Sequence, residues 1–132
     1  MKSLLIAASF FLLVLLGGVT LAAATEGTAL QAKDNGQEIR VPAGAIIELS
    51  LPEQAGTGYR WEFDRLDAQH FELLKTETRP LATKNLVGGP VLKTWQLKTK
   101  NAGESALTLN YLRPWEGKGQ AVKHFTVKIR LH

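Results

Sequence analysis

The chain contains no cysteine. That excludes disulfides, zinc–thiolate sites and thiol catalysis by this protein, and leaves its core to hold by packing alone. It also excludes a lipid-anchored lipoprotein, because no cysteine follows the apolar run near the N-terminus. Charge of one sign is scarce too. The formal net charge is +4, and Lys and Arg are spread along the chain with no basic run, so no nucleic-acid footprint is present. Metal-ligand spacing is missing: His70, His124 and His132 stand apart from one another. Catalytic groupings are missing as well. Ser50 has no His or acid placed near it, Glu62 and Asp64 read as solvated, and Gly88-Gly89 opens no helix and is too short to cradle a phosphate. The sequence therefore reads as a protein that is not an enzyme and needs no cofactor. It has no internal repeat and no low-complexity tract.

What is present begins with a long apolar run. Met1-Lys2-Ser3 gives a positive start, Leu4 to Leu16 is apolar, and Ala22-Ala23-Ala24 supplies small residues. That three-part plan predicts a secretory signal over 1–24, with cleavage after Ala24. The competing reading is a membrane anchor, since residues 4–24 approach the roughly 20 residues a span requires; the Ala-rich exit favours cleavage. The remaining 25–132 form one domain, expected to be periplasmic or secreted, monomeric and free of the membrane.

That domain is strand-like almost throughout. Ile47, Leu49 and Leu51 alternate with polar neighbours; so do Tyr59, Trp61 and Phe63, then Trp95 and Leu97, then Leu107 and Leu109. Phe125, Val127, Ile129 and Leu131 complete a clean period of two. Ala29–Ala32, Glu38–Val41 and Phe71–Thr78 are weaker strand candidates, and Leu66–Leu74 could hold a helical turn. Asp34-Asn35-Gly36, Pro42-Ala43-Gly44, Asn101-Ala102-Gly103 and Glu116-Gly117-Lys118-Gly119 punctuate the strands. Seven to eight short strands with regular turns predict an all-β fold, an immunoglobulin-like antiparallel β-sandwich without a disulfide.

Three connections are richer than turns require: Pro52–Gly58, Thr83–Pro90 and Arg113–Gly119. Loops of a sandwich gather at its two ends, and binding residues concentrate on such loops. Arg113-Pro114-Trp115 stands out. Arg and Trp are the types most enriched in binding hot spots, and Pro stiffens the pair. Each residue also has a plainer reading. Arg113 could pair with Glu116, and Trp115 could fold back as a lid. Trp61 and Trp95 belong to the core, and Tyr59 is expected to be half-buried, propping the first connection.

Leu51-Pro52-Glu53-Gln54-Ala55-Gly56-Thr57-Gly58-Tyr59-Arg60-Trp61 resembles the first signature of the chagasin family, which runs Asn-Pro-Thr-Thr-Gly, an aromatic, any residue, then Trp. Leu86-Val87-Gly88-Gly89 resembles the family's Gly-rich second loop, and Arg113-Pro114-Trp115 matches its third signature without change. The order agrees along the whole domain. The resemblance implies a reversible proteinaceous inhibitor of papain-like cysteine proteases that presents three loops as a wedge. Its protease-binding residues would be Gln54, Ala55, Gly56, Thr57 and Gly58 over the catalytic cysteine. Leu86, Val87, Gly88 and Gly89 on one side and Arg113, Pro114 and Trp115 on the other would clasp the cleft. Gln54, Ala55, Gly56 and Leu86 depart from the family pattern. Losing Pro and gaining Gly frees the unbound loop, so restoring Pro at 55 and Thr at 56 is expected to tighten inhibition, by roughly 0.4–1 kcal/mol per site. A carbohydrate- or protein-binding extracytoplasmic module is the alternative reading, because an exposed Trp also stacks on sugars.

Overall fold

Alternating apolar residues seal two facing sheets. The computed structural model describes residues 27–81 and 89–132. Among the described residues there are eight strands: β1 (Thr28–Leu30), β2 (Glu38–Val41), β3 (Ile46–Gln54), β4 (Arg60–Phe63), β5 (Phe71–Pro80), β6 (Pro90–Thr99), β7 (Gly103–Leu112) and β8 (Lys123–Leu131). One sheet has the order β1-β3-β6-β5 and the other β2-β8-β7-β4. Ile47, Leu49, Leu51 and Leu97 from the first sheet meet Leu107, Leu109, Val127 and Ile129 from the second in one core. Trp61 and Trp95 are buried in it, as their alternation predicts. Among the described residues no helix is long and apolar enough to cross a membrane.

The sandwich is the expected one, with one difference at its edges. β1 pairs with β3, and β2 with β8, in parallel. The chain reverses at the 3₁₀ turn Ala32–Asp34 and again at Pro42–Gly44. β1 and β3 therefore run the same way, while the strand between them in sequence, β2, has crossed to the other sheet. The 28–41 stretch thus caps one edge of both sheets.

One boundary differs from the sequence pattern for a local reason. β3 continues through Pro52, Glu53 and Gln54, where a connection was expected. β1 stops opposite Leu49, so beyond that point β3 is an edge on that side, where a missing N–H is tolerated. The helical turn allowed within Leu66–Leu74 is a single one and does not extend into a helix. The Asp67 carbonyl accepts the amides of His70 and Phe71, closing a single turn, and β5 starts at once. β5 buries Phe71 and is otherwise exposed, with a bulge between Leu73 and Lys75.

Candidate functional site

The pairing register brings the strand ends that flank the three connections to one end of the sandwich. Gln54 lies opposite Pro90, Arg60 opposite Leu112, and Tyr111 opposite Lys123. The first connection leaves β3 in one sheet and enters β4 in the other. Its base is clamped. The Trp61 indole N–H donates to the Pro52 carbonyl at 3.0 Å, and the Gln54 amide donates to the Tyr111 hydroxyl at 3.1 Å. The Glu53 side chain, only 10 % exposed, sits 3.9 Å from Lys93 Nζ and accepts the Trp61 amide at 3.5 Å. These contacts hold a largely shielded side chain in place beneath the first connection.

Above that base the chain makes a tight turn. Gly56 has φ +90° and Gly58 φ +86°, a region L side chains rarely adopt. Thr57 Oγ1 donates to the Gln54 carbonyl at 2.8 Å and accepts the Tyr59 amide at 3.2 Å, which pins the turn from within. The Ala55 amide donates to the Gly89 carbonyl at 3.3 Å, joining the first connection to the end of the second.

The third connection leans on the first. Arg113 Nε donates to the Thr57 carbonyl at 3.1 Å, and its guanidinium lies 4.5 Å from the Tyr59 ring centroid. Tyr59 stacks on Tyr111 at 5.5 Å, and Tyr111 packs on Trp61 at 5.0 Å. A ladder of Arg113, Tyr59, Tyr111 and Trp61 thus runs from the surface into the core. Arg113 Nη1 also approaches Glu116 at 3.8 Å, so the pair read from the sequence exists but is one of three bonds the side chain makes. Pro114–Glu116 forms a 3₁₀ turn that projects Trp115, which remains 70 % exposed. The edge of its ring rests on Gly58: a Cβ built there would overlap Trp115 Cη2. Trp115 is therefore no lid over the core, although it covers a glycine.

The far half of the third connection is fixed by a polar chain. Lys118 Nζ donates to the Asp64 carbonyl at 2.8 Å, Asn110 Nδ2 donates to Asp64 Oδ1 at 3.2 Å, and His124 Nδ1 donates to Asn110 Oδ1 at 2.8 Å. Asn110 is buried, and each end of its amide has a partner.

Of the residues singled out from the sequence, the structure brings together Gln54, Ala55, Gly56, Thr57, Gly58 and Gly89 with Arg113, Pro114 and Trp115. Leu86, Val87 and Gly88 lie outside the described residues. Sequence reasoning missed Glu53 and Tyr111 as supports. Tyr111 carried a signal, because an inward-facing Tyr must find a partner for its hydroxyl, and the nearest open groups are those of the first connection. Among the described residues no cluster of three His, Asp or Glu could hold a metal. A Ser–His–Asp grouping lies at the other end of β7. There Ser105 donates to Asp67 at 2.8 Å and His70 Nδ1 meets the same oxygen at 2.7 Å, so Ser105 is bonded to the acid, not to the base a nucleophile needs. Ser105 and His70 together hold the Asp67 carboxyl below its ordinary pKa.

The family model described as Chagasin family peptidase inhibitor I42 matches residues 40–129. Chagasin of Trypanosoma cruzi is 29% identical over 100 residues, spanning 73% of this chain and 90% of chagasin. Amoebiasin-2 of Entamoeba histolytica is 27% identical over 104 residues, spanning 76% of this chain and 81% of its own. The crystal structure of the cysteine protease inhibitor EhICP2 from Entamoeba histolytica superposes with a TM-score of 0.72 at 22% identity, covering 80% of this chain and 96% of that one.

Proposed function

The chain belongs to the chagasin family of peptidase inhibitors, and from that premise we propose how it stops its target, a papain-like cysteine protease. The first connection, Gln54 to Gly58, lies over the catalytic cysteine. Leu86 to Gly89 and Arg113 to Trp115 clasp the cleft from either side. One observation carries this reading. Arg113 Nε holds the Thr57 carbonyl while Trp115 rests on Gly58, so the first and third connections form one prebuilt surface. Ordering is largely complete before binding, which removes part of the entropic cost of association. Trp115 supplies an exposed apolar anchor and Arg113 a forked donor beside it.

The mechanism is occlusion. The protein offers no electrophile beyond its own peptide carbonyls, so no stable adduct with the protease thiolate is expected. The expected result is competitive, reversible inhibition of papain, with mass spectrometry of the complex showing two unmodified chains. No inhibition of several papain-like enzymes at micromolar protein would sink the reading.

Residues 1–24 act as an export signal on this proposal, and the mature protein starts at Thr25 in the periplasm or the medium. The charged start, apolar run and Ala-rich exit support it. N-terminal sequencing of exported material checks it, and an intact chain retained in membranes would contradict it. The alternative carbohydrate-binding role loses support because Trp61 and Trp95 are buried and only Trp115 of the three is on the surface.

A further inference from the structure

An inhibitor that places a peptide loop over a catalytic cysteine must itself escape being cut. Cleavage at Thr57–Gly58 would add the protease thiolate to the Thr57 carbonyl carbon. The peptide bond would then break, with the Gly58 amine leaving on a proton from the protease imidazolium, and water would release Thr57 as a carboxylate. That sequence needs an extended backbone and a carbonyl oxygen free to enter an oxyanion hole.

The first connection denies both. Gly56 and Gly58 flank Thr57 with φ +90° and +86°, far from extended values. The Thr57 carbonyl already accepts Arg113 Nε at 3.1 Å, and the Thr57 hydroxyl is bonded on both sides within the turn. Trp115 covers Gly58 on the leaving-group side. Arg113 is itself held by the Tyr59 ring and by Glu116, so its hydrogen bond is prepaid in geometry rather than left to a free side chain.

We propose that Arg113 is a positioning residue that keeps the inhibitor from becoming a substrate, by occupying the Thr57 carbonyl and holding the turn out of cleavable geometry. The idea rests on the functional reading above and adds a fate for the loop that mere cleft-filling does not predict. Arg113→Ala frees the carbonyl and lets the turn relax toward an extended form. Arg113→Lys keeps the charge but loses the Nε donor of the fork.

The experiment incubates wild type, Arg113→Ala and Arg113→Lys with papain over hours, following intact mass and residual inhibition, with thermal unfolding measured in parallel. Wild type should stay whole. Arg113→Ala should be cut between Thr57 and Gly58 about tenfold faster or more, the scale of one lost charge-assisted hydrogen bond. Its inhibition should decay in step, with Arg113→Lys in between and the unfolding midpoints of the variants close to wild type. If Arg113→Ala binds more weakly yet stays whole, Arg113 is a binding contact alone and the proposal is overturned. Cuts scattered outside 54–59 would also overturn it, since they would report a loosened fold. Absence of inhibition by wild type would instead remove the functional reading, and this inference with it.

Discussion

At Gly56 the structure reverses what the sequence suggests. Proline at 55 and threonine at 56 look like residues that would stiffen the first connection and tighten binding. Yet Gly56 sits at φ +90°, where a β-branched side chain is strained by about 1–3 kcal/mol. The Ala55 amide donates to Gly89, a bond that proline cannot make. The turn here has its own geometry, built for glycine. Ala55→Pro with Gly56→Thr should therefore weaken inhibition of papain by about tenfold or more, read as a rise in the inhibition constant. A tighter double variant would mean that the loop adopts the family's shape when bound. The two surface-to-core extremes among the tryptophans give a second residue-scale test. Trp115→Ala should lose about 2–4 kcal/mol of binding and little stability, because the ring is 70 % exposed. Trp61→Ala should lose about 3–5 kcal/mol of stability, since it is buried against Tyr111 and bonded to Pro52. Affinity and urea unfolding on both variants separate the roles; a Trp115→Ala protein that unfolds early but binds normally when folded would contradict them.

Among the elements, the strands with a buried face were legible and the edges were not. β3, β6 and β8 each alternate strictly enough to place their inward residues, because one face is dry and the other wetter, whereas β7 alternates in its middle and is buried on both faces from Leu109 to Leu112. β5 carries no such pattern, since nearly all of it is exposed on both faces. The parallel pairing of β1 with β3 and of β2 with β8 was illegible for another reason: a turn signal says that the chain reverses, not which sheet it enters next. The connection before β5 keeps only the one turn that its sequence allows, and the rest of its order comes from tertiary bonds. Asp67 ties it to Ser105 and His70, Lys100 Nζ donates to Ala68, and Asn101 Nδ2 donates to Gln69. That tie has a pH signature. The Asp67 pKa is lowered in the folded state, first by the Ser105 hydroxyl and then by His70. Its stabilisation is fully present above the unfolded value of about 3.9 and is lost as pH falls through the lower folded value. Asp67→Asn keeps the turn's acceptor and removes the charge. It should lower stability at neutral pH and flatten the acid limb of a urea midpoint-versus-pH curve; an unchanged acid limb would show that the carboxylate contributes nothing there.

For the molecule as a whole, the site was legible as three connections and illegible as one surface. Arg113-Pro114-Trp115 announces itself by composition, but no spacing reveals that Arg113 reaches Thr57, which lies 56 residues earlier in the chain. The same long-range logic governs stability. Without cysteine, one contiguous core is what holds the two sheets together. Trp95 reports on the β1-β3-β6-β5 sheet and Trp61 on the other, and both contribute to that core. A shared core should make the sheets unfold in a single step. Urea unfolding followed by the fluorescence of variants keeping only Trp61 or only Trp95, and by circular dichroism, should give coincident transitions with or without reductant, after allowing for the overall stability each substitution removes. A saturating papain-like partner should raise the midpoint for every probe together, the unfolding free energy gaining about 2.7 kcal/mol at a hundredfold excess over the dissociation constant. If the Trp61 probe shifted alone, the β4 sheet would be a separate cooperative unit clamped by the target. The prebuilt surface would then be a product of binding, not a property of the free protein.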